Sequence, residues 1–230
     1  MASLLYFGFK IMNNEAVYFI NVFSTLSAAI PLGIGLLIVK KGASSLRYFL
    51  AFLAVGFLVD LLGWYNAHYP NNGFYSIVRT LYWLIDLTFY AFFLRWVANS
   101  RVVRVICQWV FLGLVLLWVA QLFEYSLLNT FKLSLGVAYS FIAGFVLLEL
   151  IENKRGDGLP LVFWLVFGIF FYHFCTFFVM GMITTSTGNK IWWLHNAVNI
   201  TTNIIYALGF WVCRDEFAAA KVGGQTLSNT

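Results

Sequence analysis

Residues 191–211 read IWWLHNAVNITTNIIYALGFW. The stretch is long and apolar enough to cross a bilayer, whose hydrocarbon core of about 30 Å takes about 20 residues of helix. It nevertheless carries His195, Asn199, Asn203 and Tyr206. These follow an i, i+4, i+8, i+11 spacing, which places them in one stripe along a helix and leaves the opposite face to Ile and Leu. A helix with one lipid-soluble face and one polar face belongs in the wall of a membrane bundle, with the stripe turned inward.

The rest of the chain agrees. Of its 230 residues, 62% are hydrophobic, 20% aromatic and only 10% charged, with a mean hydropathy of +0.84. Charged residues alone make up about 25% of an average soluble protein. The expected fold class is all-α, an integral membrane bundle of seven helices over roughly 16–39, 46–67, 74–97, 102–123, 128–151, 160–184 and 190–213. Residues 1–15 form a short leading segment, 16–213 the transmembrane domain and 214–230 a polar cytoplasmic tail. Turn residues such as YPNNG at 69–73 and NKRGDG at 153–158 separate the spans. Pro160 suits a first helical turn, whereas Pro31 lies inside the first span and should kink it. The N-terminus lacks a basic region followed by a long apolar core and a cleavage site, so the first span is expected to be retained.

Lysine and arginine set the orientation. Ten lie in the 1–2, 3–4 and 5–6 connections and the tail, among them Lys40, Lys41, Arg95, Arg101, Arg104, Lys154, Arg155 and Arg214; only Lys10, Arg79, Lys132 and Lys190 fall on the other side. With the positive side inside, the N-terminus is outside and the C-terminus cytoplasmic. The net charge of +5 is then a topology signal and no mark of a nucleic-acid partner. Membrane lipids and a cytoplasmic signalling partner are the surfaces these arginines can meet. Cys107, Cys175 and Cys213 form no CxxC pair and read as packing residues.

Ionisable groups within a span cost several kcal/mol when unpaired and therefore normally face the interior. In span three Arg79, Asp86 and Tyr90 share a face with Tyr82, and Trp83 lies beside them. In span two Asp60 lies about 21 Å from the cytoplasmic end and Trp64 follows one turn later. Asp60 and Arg79 share the outer half of neighbouring antiparallel helices and are expected to pair. Lys132, Glu124 and His68 belong to the same level. The candidate ligand-binding set is Asp60, Trp64, Arg79, Tyr82, Asp86, Tyr90, Lys132, His195, Asn199 and Asn203, lining a polar cavity that opens outward to an unknown small molecule. No residue is assigned a catalytic or metal-holding role, and no cofactor is expected. Against this stands a plainer account in which the amides are interhelical glue and His173, in FFYHFCTFF, is a packing residue. Trp192, Trp193, Tyr69 and Phe74 fit an outer aromatic belt, and Trp96 and Trp211 an inner one.

Seven spans suggest a retinal protein, but a Schiff base needs a lysine in the middle of the last helix and Lys190 lies at its mouth. A zinc hydrolase of the alkaline ceramidase and adiponectin-receptor type would hold zinc through three histidines, two of them as HxxxH in the last span. Here the histidines are His68, His173 and His195, and Asn199 stands where the second member of HxxxH would be. A small-solute transporter should show interrupted helices in matching halves, and only the first span, at IPLGIG, is interrupted.

The chain is similar, along nearly its whole length, to an uncharacterised group of bacterial seven-helix proteins. The resemblance is carried by PL..GL (Pro31, Leu32, Gly35, Leu36), DLL (Asp60, Leu61, Leu62), FW...GI..Y (Phe163, Trp164, Gly168, Ile169, Tyr172) and HN..NI..NI.YA.GFW from His195 to Trp211. The group's usual acidic residue early in span three is missing, and Asp86 is the acid of that span. The resemblance implies a bacterial inner-membrane protein and no established activity. Similar modules accompany two-component signalling proteins, which implies a sensor or receptor-like role.

Single cysteines placed in a cysteine-free chain test the orientation. A cysteine at the N-terminus should react with an impermeant reagent only from outside and one at Lys40 only from the cytoplasm. The reverse pattern overturns the orientation.

Overall fold

The computed structural model describes residues 15–39, 44–68, 73–153, 160–183 and 192–214. All the secondary structure within them is helical: α1 (Glu15–Ser27), α2 (Ala29–Val39), α3 (Ser44–His68), α4 (Gly73–Val97), α5 (Arg101–Phe123), α6 (Leu127–Glu152), α7 (Leu161–Ile183) and α8 (Trp192–Val212). Among the described residues six stretches are long and apolar enough to cross a membrane, α1 and α2 together forming the first of them. The chain is therefore a polytopic membrane protein. The seventh stretch, α8, has 21 residues and is less apolar because of its imidazole and amides. Each helix ends within a turn of where the apolar runs predict. The tail beyond Arg214 and the loops with Lys40, Lys41, Lys154, Arg155 and Lys190 lie outside the described residues.

The expected kink of the first span is a break at Ala28, a turn between α1 and α2. Its position follows from Pro31, which has no N–H to donate to the carbonyl of Ser27 and whose ring crowds that carbonyl. Beside this break the Ser27 hydroxyl donates to the Ser24 carbonyl at 2.7 Å.

Consecutive helices pack as neighbours, α8 closes the ring against α1 and α2, and α4 also reaches α6. The closest walls are α6 with α7 and α7 with α8. Small residues make this possible, since without water between lipid-facing helices association depends on close backbone approach and van der Waals contact. A Cβ on Gly168 would collide with the ring of Tyr206, one on Gly209 with Trp164, and one on Gly136 would lie 3.3 Å from the Phe177 Cβ. Across the bundle α3 and α4 are held apart by tyrosines. The Tyr82 hydroxyl stands against Gly56 and the Tyr75 hydroxyl against Gly63, each 2.8 Å from where a Cβ would be.

The end of the bundle where α3 begins and α4 and α8 finish is filled by aromatic rings. Phe52 and Phe89 stack with centroids 3.8 Å apart, and fully buried Phe49 meets Phe93 at 5.4 Å and Tyr206 at 5.1 Å. Outside, Ile204, Leu208 and Trp211 form the exposed face of α8. Trp193, Phe74, Trp96 and Trp211 are exposed as belt residues should be, and Arg214 lies over the Trp211 ring at 4.2 Å. The side chains of Tyr69 and Trp192 lie outside the described set. Cys107 and Cys213 are buried, Cys175 lies in α7, and none of the three is in a disulfide among the described residues.

Gly168→Ala should destabilise the bundle by about 1–3 kcal/mol, because the new methyl must displace a buried tyrosine ring. Gly113→Ala, where nothing lies within 4 Å, should be neutral or stabilising. Thermal melts in detergent compare the two; equal effects would mean that the α7–α8 contact is not tight.

Candidate functional site

Between the tight wall and the tyrosine-spaced wall lies a cavity of about 400 Å³. Residues of α1, α3, α4, α6, α7 and α8 line it, and α5 contributes none. On α4 the lining runs from Tyr75 to Tyr90 and on α6 from Phe131 to Gly136, so the cavity occupies the half of the bundle where those two helices begin. The aromatic cluster around Phe49 closes the other half.

Asp60, Arg79, Tyr82, Asp86, Tyr90, Lys132, His195, Asn199 and Asn203 all line this one cavity. Residues from four helices, spaced by up to 143 positions in the chain between Asp60 and Asn203, thus converge as their inward periodicity requires. Trp64 does not line it, and its indole is 42% exposed. The reason is the register of α3 on α4: in that turn Gly63 faces Tyr75, which leaves the next residue on the flank. Glu124 is also absent from the wall. It is exposed, and its Oε1 accepts a hydrogen bond from the Ser126 N–H at 3.4 Å, a local contact at the entry to α6. The side chain of His68 lies outside the described residues.

The expected Asp60–Arg79 ion pair is not formed among the described residues. The Arg79 guanidinium lies over two rings of its own helix instead, 5.8 Å from Tyr75 and 5.2 Å from Trp83, and its Nε is buried without a hydrogen-bond partner. The Lys132 ammonium on α6 reaches the same indole, 4.7 Å from the Trp83 ring. Depth in the membrane put Asp60 and Arg79 at one level, but rotation about α4 turns the arginine along its own aromatic face. A desolvated cation over an aromatic ring gains about 2 kcal/mol. That offsets only part of the several kcal/mol that a charge within a span costs.

The polar stripe of α8 is wider than its i, i+4 spacing shows. His195, Asn199, Thr202 and Tyr206 face the cavity, while buried Asn196 donates from its amide to the Asn21 side chain on α1. Asn203 does both: it lines the cavity and its Nδ2 donates to the Ser27 Oγ at 2.8 Å. Asn199 lines the cavity and makes no hydrogen bond among the described residues. Asn196 could have been found from its seven-residue separation from Asn203, which puts both on the side of α1.

His173 also belongs to the wall. It is 1% exposed, held by Tyr90 at 4.6 Å, Tyr172 at 5.2 Å and Tyr139 at 5.4 Å, and its Nε2 has no hydrogen-bond partner. The Tyr139 hydroxyl donates to the Leu87 carbonyl at 2.7 Å, which fixes one side of this ring nest. Among the described residues no three His, Cys, Asp or Glu side chains are grouped as metal ligands. The chain matches no protein-family model, no curated protein and no solved structure.

A double-mutant cycle on Asn203→Ala and Ser27→Ala should give a coupling of about 0.6 kcal/mol, the usual size for a polar contact between membrane helices. Strictly additive losses in thermal melts would mean that this bond does not hold α8 to α1.

Proposed function

We propose that the protein is a seven-span module of a bacterial inner membrane, a member of the group its motifs resemble. In this reading it acts as a sensor or receptor-like protein, with N-terminus outside and a cavity open to that side. The observation that carries the reading is the convergence of acids, bases, amides and aromatic rings from six helices on one cavity of about 400 Å³. That volume and that mix of apolar rings with a few polar groups are what small-molecule sites have. Helix α8 is 21 residues long, enough to span, and its polar residues turn inward, where their cost is met by α1 and the cavity.

A receptor also needs a part that moves. The break at Ala28 provides one, because Ser24 and Ala28 line the cavity and Ser27 holds Asn203. A molecule bound among these residues bears directly on the joint between α1 and α2. The α2 half of the span leads toward the basic connection with Lys40 and Lys41, where a cytoplasmic partner or anionic headgroups would meet it.

Cysteine accessibility tests the cavity and its direction. In a chain without Cys107, Cys175 and Cys213, Asn199→Cys should react with a charged, impermeant thiosulfonate added outside, while Leu208→Cys on the lipid face should not. Reaction at 199 only from the cytoplasm, or none at all, overturns this reading.

A further inference from the structure

We propose that Arg79, Trp83 and Lys132 form a subsite for the anionic group, a carboxylate or a phosphate, of the molecule that the cavity takes; this rests on the cavity being a small-molecule site. Two cations from different helices, α4 and α6, come to one indole, at 5.2 and 4.7 Å. Neither is neutralised by a carboxylate: no ion pair within 4.0 Å reaches either among the described residues, although Asp60 and Asp86 line the same cavity. Like charges repel more strongly as the surroundings become less polar, so two helices do not bring a guanidinium and an ammonium to one ring without compensation. The indole face compensates each cation in part. An anion reaching both would complete it.

The donors suit that role. The guanidinium presents a planar fork that matches the two oxygens of a carboxylate or phosphate, its Nε is buried without a partner, and the ammonium is a compact charge that tolerates many approach angles. Asn199 adds an amide without a hydrogen bond on the same cavity. The flat face of Trp83 favours an apolar or aromatic body next to the anionic group. Of the two acids on this cavity, Asp86 lies two turns along α4 from Arg79, toward Tyr90, and Asp60 on α3 forms no ion pair within 4.0 Å with either cation among the described residues. The cavity therefore carries charge of both signs, and Arg79 and Lys132 are the two cations that share one ring.

The test uses the full chain, purified in a neutral maltoside detergent, with thermal unfolding as the readout at constant ionic strength. Sodium benzoate and sodium phosphate are compared with sodium chloride, and micelles doped with phosphatidylglycerol with micelles doped with phosphatidylcholine. At roughly ten times its Kd an anion should raise Tm by about 3 °C. The rise should be lost in Lys132→Gln and kept in Lys132→Arg; should Lys132→Gln not purify folded, Arg79→Gln carries the same expectation. A rise with benzoate or phosphate identifies a soluble anion, and one with phosphatidylglycerol alone identifies a lipid headgroup at the same subsite. No rise in any arm, or a rise of equal size in the Gln variants, overturns the subsite. Reaction of Asn199→Cys from outside without any anion effect sinks the subsite and leaves the cavity standing. Absence of that reaction removes the cavity reading and the subsite with it.

Discussion

A polar side chain inside a bilayer has no water at its back, so the protein itself must meet its needs. That constraint orders this bundle more than any propensity does. Helix α8 carries an imidazole and three amides, and they are disposed of in two directions. Asn196 and Asn203 bond to Asn21 and Ser27 on α1, while His195 and Asn199 turn into the cavity. Helices α1 and α8 are joined by these polar contacts, and the ring of helices closes where α8 packs on α1 and α2.

Apolar packing then decides where space is left. Along α7 and α8 glycines meet aromatic side chains so closely that the addition of a methyl group would collide. Along α3 and α4 the relation is reversed, with Tyr82 and Tyr75 standing their hydroxyls on Gly56 and Gly63. One wall is pulled in and the other is propped out by two tyrosine lengths. A cavity between them follows, bounded at one end by the rings around Phe49.

The helix bounds were legible because bilayer thickness fixes the length of an apolar run, and the inward stripe of α8 because helical periodicity fixes a face. Rotation and partner choice were less so. Asp60 and Arg79 share a depth, yet arginine has a second way to be satisfied, and the rings at positions four before and four after it provide that way. Trp64 and Gly63 are adjacent, and only the register of α3 on α4 shows which of them faces inward. Glu124 has the right level but spends its carboxylate on the backbone of its own turn. His173 looked like a lone packing residue; it is both packed by three tyrosines and part of the cavity wall. A sequence read one helix at a time cannot reveal that double position.

The two walls also differ in what they permit to move. Sliding α8 past α7 would drive Tyr206 and Trp164 into the backbone at Gly168 and Gly209, so that interface holds one register. The first span is different. Pro31 has already removed a backbone hydrogen bond at Ser27, and a change of angle at Ala28 therefore breaks little that is formed. The Ser27 hydroxyl donates to the Ser24 carbonyl and accepts from Asn203 across the interface. A change in the cavity that shifts Asn203 alters the restraint that its bond to Ser27 places on this joint. The joint at Ala28 is thus tied to the cavity through Asn203 and through Ser24 and Ala28, which line it themselves.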